Sequence, residues 1–284
     1  MPGCPRIQVH ALQRVRASLA IGAALAALSA APAAAQAPLD QARQLYNSGR
    51  YEEAIETAAK VREVRGAMDS ARLIIGRARL ERYRQSADRA DLVAAREALR
   101  EVRPAELSYR DQLEYVIGLG QSLYLEESYG AAAELFESAF ERSYVAGPVA
   151  FNRVFDWWAT ALDRHAQSGL VVDRTPLYER IRDAGQEALS RDVGSGPAAY
   201  WLVVAYRSLG DLVRAWETAI AGWVRAPLTD DQGAALRADL DRLVLQAVIP
   251  ERARQMASND RDRERAAASL RAAWETIKRE WSPK

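Results

Sequence analysis

The stretch from Leu113 to Phe140 constrains the fold most, because its apolar residues follow a helical period twice with only a short polar break between. Before the break, apolar positions recur at i, i+3, i+4 and i+7: Val116, Leu119, Gly120 and Leu123. After the break at 126–128, the same spacing returns: Tyr129, Ala132, Ala133, Phe136, Ala139 and Phe140. Because the break is short, the two helices must lie side by side. The stretch therefore predicts an antiparallel helical hairpin.

Small residues on both helices indicate how closely the two would approach. Gly120 and Ala132 stand where the helices are expected to cross, so the backbones can come together while Phe136 fills the space beside them. Tight packing at this crossing is therefore predicted.

The pattern resembles the tetratricopeptide repeat in its order of small, large and aromatic positions. The residues that carry the resemblance are Gly120, Leu123, Tyr129, Ala132, Phe136 and Ala139. The inter-helix turn of that family is matched twice more, at 49–54 and 210–215. The resemblance implies an all-α fold, a right-handed superhelix of stacked hairpins, and binding rather than catalysis.

Helical periodicity extends the hairpin to about five along residues 36–228, followed by capping helices at 229–284. Each first helix carries a small or compact marker residue: Ala42, Gly76, Gly120, Ala161 and Val203. The second hairpin is expected to have a polar insertion at 85–90, and 168–175 is expected to be a loop. In the cap, Pro250 is expected to end one helix, and the segment around Trp274 forms another.

The first 35 residues are predicted to be a signal peptide. Arg6, Arg14 and Arg16 precede an uncharged run rich in Ala and Leu, and Ala33 and Ala35 form an A-x-A cleavage pattern. Cleavage after Ala35 predicts a periplasmic or secreted protein. The alternative, a retained membrane anchor, needs a strongly apolar span of about 20 residues, whereas this run is mostly Ala.

The mature chain has 36 Lys and Arg against 38 Asp and Glu, since residues 1–35 contain three Arg and no acid. A balanced chain has no basic footprint for nucleic acid. The only cysteine, Cys4, lies in the leader, so neither a disulfide framework nor a thiol nucleophile is expected.

Catalytic and metal chemistry have little support in the sequence. His165 is the only histidine after the leader, and no nucleophile elbow, zinc motif, P-loop or Rossmann glycine pattern accompanies it. Glu126 and Glu127 are the only carboxylate pair to consider for a glycosidase, and they belong to an inter-helix turn. We expect no enzyme activity, no metal and no cofactor.

Two kinds of binding protein remain. The first is an interaction scaffold for a protein or peptide of the cell envelope, with its oligomeric state left open. The second is a glycan or small-ligand binding protein, in which tryptophans offer stacking platforms or else fill gaps between repeats. The tryptophans concerned are Trp157, Trp158, Trp201, Trp216 and Trp223.

The resemblance places the binding surface on the first helix of each hairpin, which lines the concave face in that family. The residues at those positions are Glu114, Ile117, Gln121, Tyr124, Trp158, Leu162, His165, Tyr200, Val204 and Arg207. Among them, Tyr124 is expected to point into the groove while Leu123 packs inward, so that replacing Tyr124 would weaken binding without destabilising the fold.

Overall fold

The computed structural model describes residues 35–169 and 174–282, and no residue in these ranges belongs to a β-strand. The predicted all-α fold is therefore confirmed for the described chain. Residues 1–34, which contain most of the predicted signal peptide, lie outside the described residues. Ala35, the predicted last residue of that peptide, is the first described residue of the first helix and is buried.

The chain divides into two compact units, Met1–Gln112 and Leu113–Lys284. The helices that begin in the first unit are α1 (residues 35–47), α2 (Tyr51–Ala59), α3 (Met68–Ser86), α4 (Arg89–Arg100) and α5 (Tyr109–Leu125), with a 3-10 turn at Pro104–Glu106. Within this unit α3 packs against both α2 and α4.

The second unit contains the remaining helices. They are α6 (Tyr129–Ser138), α7 (Phe140–Ala146), α8 (Pro148–Ser168), α9 (Arg174–Arg191), α10 (Gly196–Ser208), α11 (Leu212–Arg225), α12 (Ala234–Leu243), α13 (Ile249–Met256) and α14 (Asp260–Trp281). The five predicted helix pairs are present as α1/α2, α3/α4, α5/α6, α8/α9 and α10/α11.

The three turns singled out in the sequence have one geometry. Gly49, Glu127 and Gly210 have φ of 77°, 62° and 80°, so each ends its helix in the left-handed region. In each turn the N–H of the next residue donates to a carbonyl five positions back, at 2.9 Å, 2.9 Å and 3.0 Å. The matched turns predicted from the sequence are therefore confirmed at the level of the backbone.

The turn of the second hairpin differs from its expected form. The polar segment 85–90 is not an insertion, because α3 continues to Ser86 and α4 begins at Arg89. Ala87 turns the chain with φ 57°, and the Asp88 side chain accepts from the N–H of Ala90 at 3.0 Å. The polar residues are thus the exposed ends of two helices and their cap.

Close helix crossings are confirmed. The five marker residues are all buried. A Cβ added to Gly120 would lie 2.6 Å from the ring of Phe136, and one added to Gly76 would lie 2.8 Å from Leu99. At both crossings glycine is required because a neighbouring side chain occupies the space of a Cβ.

The second helix of the central hairpin is shorter than its apolar pattern suggested. The chain bends at Ala139, and α7 begins at Phe140. This bend lets Phe140 pack against α8, with ring centroids 5.2 Å from Trp158 and 6.2 Å from Phe155. Packing of the Phe140 ring against α8 is therefore favoured over continuation of α6 as a single helix.

Pro250 does not end its helix, contrary to the sequence-based expectation. Residues Val244–Val248 form a π-helical turn that connects α12 to α13, and the N–H of Ile249 donates to the carbonyl of Val244. Proline has no N–H and its ring crowds the carbonyl four positions earlier. The wider π turn just before Pro250 accommodates the ring, so the chain stays helical to Met256.

The last helices pack onto the final hairpin. Trp274 of α14 is buried, and its ring lies 5.9 Å from Trp216 and 5.3 Å from Trp223, both on α11. Its indole N–H donates to Asp241 of α12 at 2.8 Å. The C-terminal helices therefore cover an apolar face of α11 that would otherwise contact water.

A membrane-spanning helix is not found in the described ranges: none of their helices combines sufficient length with sufficient apolar character.

Candidate functional site

An open cleft of about 480 Å³ lies in the second unit, where the N-terminal halves of α8, α10 and α12 come together. α10 packs between the other two helices. α8 and α10 are the first helices of two successive predicted hairpins, and α12 is the first helix of the predicted cap.

One stripe of α8 lines this cleft. Val149, Asn152, Arg153 and Asp156 recur at i, i+3, i+4 and i+7 and so share one face of the helix. The other face of α8 enters the core through Phe151, Val154, Phe155 and Trp158. The helix is therefore amphipathic, with its polar stripe turned to the cleft.

Asn152 and Asp156 are held by residues of α10 and its cap. Ser195, the N-cap of α10, donates from its hydroxyl to Oδ1 of Asn152 at 2.6 Å. Trp201 donates from its indole N–H to Oδ1 of Asp156 at 2.8 Å. Because Ser195 and Trp201 are themselves buried, these contacts fix the two cleft side chains to the scaffold.

The Asp156 carboxylate is accessible to water but lies in a concave, partly desolvated place. Desolvation raises its pKa above the ordinary value, the Trp201 hydrogen bond opposes that rise, and the negative charge of Asp239 adds to it. Ionised Asp156 is therefore poorly compensated by the protein around it.

Tyr200 lies half-buried in the cleft, with its ring 5.4 Å from that of Trp201 in an edge-to-face arrangement. Burial raises the pKa of its phenol, and the charges of Asp239 and Asp163 raise it further. The hydroxyl therefore stays protonated at neutral pH, and the ring presents an aromatic surface to the cleft.

The loop before α12 supplies further acids, one of which is used by the fold. Asp231 accepts from the N–H groups of Ala235 and Gly233 at 2.7 Å and 3.0 Å, and from the hydroxyl of Thr229 at 2.8 Å. These hydrogen bonds, that of Ala235 first, lower its pKa. Asp231 thus satisfies a backbone N–H in the first turn of α12 from two residues before its N-cap, and Asp231 and Asp230 are both exposed.

Charge in the cleft is mainly negative. Its charged lining residues are four carboxylates and one guanidinium: Asp156, Asp230, Asp231, Asp239 and Arg153. Asp239 is 3.4 Å from the guanidinium of Arg242, an i,i+3 pair in which both side chains are at least half-exposed. Even with Arg242 counted beside Arg153, the four carboxylates outnumber the guanidinium groups, so the cleft remains negative.

Of the ten residues predicted to line the concave face, Tyr200 lies in the cleft. Five others are buried and so cannot contact a partner in this conformation: Ile117, Gln121, Trp158, Leu162 and Val204. On α8 the residue that faces the cleft is Asp156, two positions before the buried Trp158. Two residues rotate a helix by about 200°, enough to exchange its inner and outer faces.

The remaining predicted residues lie elsewhere. Arg207 makes a two-pronged ion pair with Glu251 of α13, at 2.6 Å and 3.0 Å, and so ties the last hairpin to the cap. His165 is exposed and rests against Gly130, and Glu114 is half-buried. None of these three side chains lines the cleft.

Tyr124 is also only partly exposed, contrary to its expected place in an open groove. Its ring lies 5.3 Å from both Tyr129 and Trp157. Tyr124 and Leu123 are both half-buried against the core, so neither is purely an outer or an inner residue. Truncation of Tyr124 therefore affects packing as well as any contact with a partner.

The tryptophans are mainly core residues. Trp158, Trp201, Trp216 and Trp223 are buried, and Trp157 is partly buried between Tyr124 and Phe136. No open stacking platform is formed by these five side chains. The aromatic residue that does reach the cleft is Tyr200.

The acids of the cleft were missed in the sequence because they are far apart in the chain and unremarkable in type. The sequence feature that could have indicated them is the polar stripe of α8, which lies on the opposite side of the helix from the apolar residues around Trp158. The carboxylate pair that was considered, Glu126 and Glu127, forms the turn between α5 and α6. Within 35–169 and 174–282, no group of three or more His, Cys, Asp or Glu side chains is placed to hold a metal ion.

Family models, curated proteins and solved structures were compared with the chain, and none of the three comparisons gives a match.

Proposed function

We propose that this chain is an exported interaction scaffold of the tetratricopeptide type, which binds a protein or peptide of the cell envelope in the cleft between α8, α10 and α12. In this proposal the helical hairpins form a right-handed superhelix with a C-terminal cap. Residues 1–35 direct export to the periplasm, and the protein has no catalytic role.

The order of helix contacts supports a repeat architecture. In the second unit α8 packs against α6, α7, α9 and α10, while α10 packs against α8, α9, α11 and α12. Each first helix thus meets its own partner helix and the first helix of the next pair, as in stacked hairpins. The shared turn geometry of Gly49, Glu127 and Gly210 supports the same architecture.

The observation that carries the binding proposal is the cleft itself. Three first helices contribute to it, its walls are fixed by Ser195 and Trp201, and it is open to water. A cleft that is preformed requires little ordering when a ligand binds. The glycan alternative has weaker support, because the tryptophans expected to form platforms are packed into the core.

Site-specific cross-linking tests this proposal. Residues 36–284 contain no cysteine, so Ala235→Cys introduces a single thiol at an exposed position of the cleft. The matched control is Ala273→Cys, at an exposed position of α14 outside the cleft. Each purified variant carries a photo-activated cross-linker and is incubated with an envelope extract.

We expect one partner to cross-link to Ala235→Cys and not to Ala273→Cys, with unlabelled wild-type protein competing. Equal cross-linking at both positions, or none at Ala235→Cys, would contradict binding in the cleft.

A further inference from the structure

We infer that the cleft receives a lysine or arginine side chain from an extended segment of the partner protein. This inference rests on the proposed function and specifies the chemistry of the ligand. Four observations support it: the placement of the carboxylates, the aromatic surface, the apolar rim, and the absence of a metal-ligand group in the described chain.

Two carboxylates from separate helices line the same cleft. Asp156 belongs to α8 and Asp239 to α12, and both line the cleft. The negative charge of Asp239 is the smallest of the causes that shift the pKa of Asp156, after desolvation and the Trp201 hydrogen bond. Within the described residues Asp156 accepts only the Trp201 hydrogen bond, so its second oxygen can still accept one.

A cation between Asp156 and Asp239 would stabilise the ionised form of Asp156. Both the desolvation of Asp156 and the repulsion from Asp239 oppose ionisation, and a positive charge beside them favours it. Arg153 lines the cleft and Arg242 pairs with Asp239 at its edge, so two guanidinium groups face the four carboxylates. The cleft walls thus leave a net negative field that attracts a cationic group.

Tyr200 provides a surface for the rest of such a side chain. A guanidinium or ammonium group over a tyrosine ring gains a cation–π interaction, and the aliphatic stem packs on the same ring. Trp201 supports the ring from one side. The site therefore suits the long cationic side chains of lysine and arginine.

Exposed apolar residues at the rim favour a peptide over a free small cation. Val149 lines the cleft and is 58% exposed. Val193 and Leu228, which are 58% and 61% exposed, directly precede the lining residues Gly194 and Thr229 in the chain. Apolar side chains that flank the lysine or arginine of an extended segment can cover this rim.

A divalent metal ion fits the site less well than an organic cation. Asp231 already accepts from a backbone N–H in the first turn of α12, and no group of three or more metal-ligating side chains is found in the part of the chain that the structure describes. Two carboxylates on opposite walls can accept the several N–H groups of a guanidinium or ammonium without coordinating a small ion.

The probe for this inference is a random dodecapeptide library displayed on phage and selected on residues 36–284. We expect selected peptides to be enriched in lysine or arginine flanked by apolar residues. Synthetic peptides from the selection should bind at least tenfold more weakly to Asp156→Asn and to Asp239→Asn. They should also bind about tenfold more weakly when norleucine replaces the cationic residue.

The control variant is Asp183→Asn, which removes an exposed carboxylate of α9 outside the cleft. It should leave affinity unchanged. Absence of enrichment for lysine or arginine, or equal binding by Asp156→Asn and wild type, would overturn the inference.

The two proposals fail in different ways. If a partner cross-links at Ala235→Cys while its affinity is insensitive to Asp156→Asn and Asp239→Asn, the cleft binds but not through a cation. If no partner cross-links there, binding in the cleft is itself refuted.

Discussion

Replacing Glu127 by glycine is expected to stabilise the second unit, although Glu127 lies in an exposed turn. Its φ of 62° is in the left-handed region, where the Cβ of an L-residue is crowded. The equivalent turns at 49 and 210 use glycine, which adopts this conformation without that cost. The same backbone is thus formed three times, once with an unfavourable residue.

The magnitude follows from two opposing effects. Removing the Cβ relieves about 1–2 kcal/mol of left-handed strain. Glycine also makes the unfolded chain more flexible, which opposes folding by about 0.4–1 kcal/mol. The Glu127 side chain has no hydrogen bond or ion pair within the described residues, so nothing else is lost. The net gain is about 1 kcal/mol, or about 2–4 °C in Tm for a unit of this size.

Thermal unfolding followed by circular dichroism at 222 nm measures this gain, with two matched variants. Glu127→Gln keeps the Cβ and removes the charge, so it should leave Tm unchanged. Gly210→Ala is the reverse change, at φ 80° and with no described atom within 4 Å of the added Cβ, and should lower stability by about 1 kcal/mol. If Glu127→Gly and Glu127→Gln shift Tm equally, backbone strain is not the cause.

Three further predictions concern packing and charge. Gly120→Ala should destabilise the second unit by about 1–3 kcal/mol in urea denaturation, because the added Cβ meets the fully buried ring of Phe136. The control Ala131→Gly, at an exposed position of α6, should destabilise it less. Tyr124→Ala should destabilise rather than be neutral, by about 1–3 kcal/mol from two lost ring pairs, and an unchanged urea midpoint would contradict this. Asp156→Asn should raise Tm at pH 7, because the pKa of the Asp156 carboxyl is raised in the folded state and its ionisation therefore opposes folding. The gain in Tm should vanish below the ordinary pKa of 3.8, where the carboxyl is protonated in both states. A gain that does not depend on pH would exclude this cause.

The local rules of helix chemistry predicted much of the fold. The turns at Gly49 and Gly210 follow from glycine after a helical period, and the crossing at Gly120 follows from small residues facing an aromatic one. These features depend on neighbours within one hairpin, so the sequence contains the information needed to predict them.

Features that depend on more distant packing were harder to predict. On α8, the positions of the tetratricopeptide resemblance made Trp158 a candidate for the binding face, but it is buried in the core beside the ring of Phe140 on α7. On α10, residues 201–206 are all buried, so no apolar stripe distinguishes one face from another. The cleft combines three helices with a loop, and no single segment of sequence shows that Asp156 and Asp239 share it.

The π turn at Val244–Val248 also changes which side of the following helix is turned toward the rest of the protein. One extra residue within a helical turn rotates everything after it by about 100° relative to what precedes it. α12 and α13 therefore form one continuous rod in which α12 packs on α10 and α11, whereas α13 packs mainly on α14 and also touches α11. A single extra residue within a continuous helix thus changes the face that the helix presents to its neighbours, without a loop.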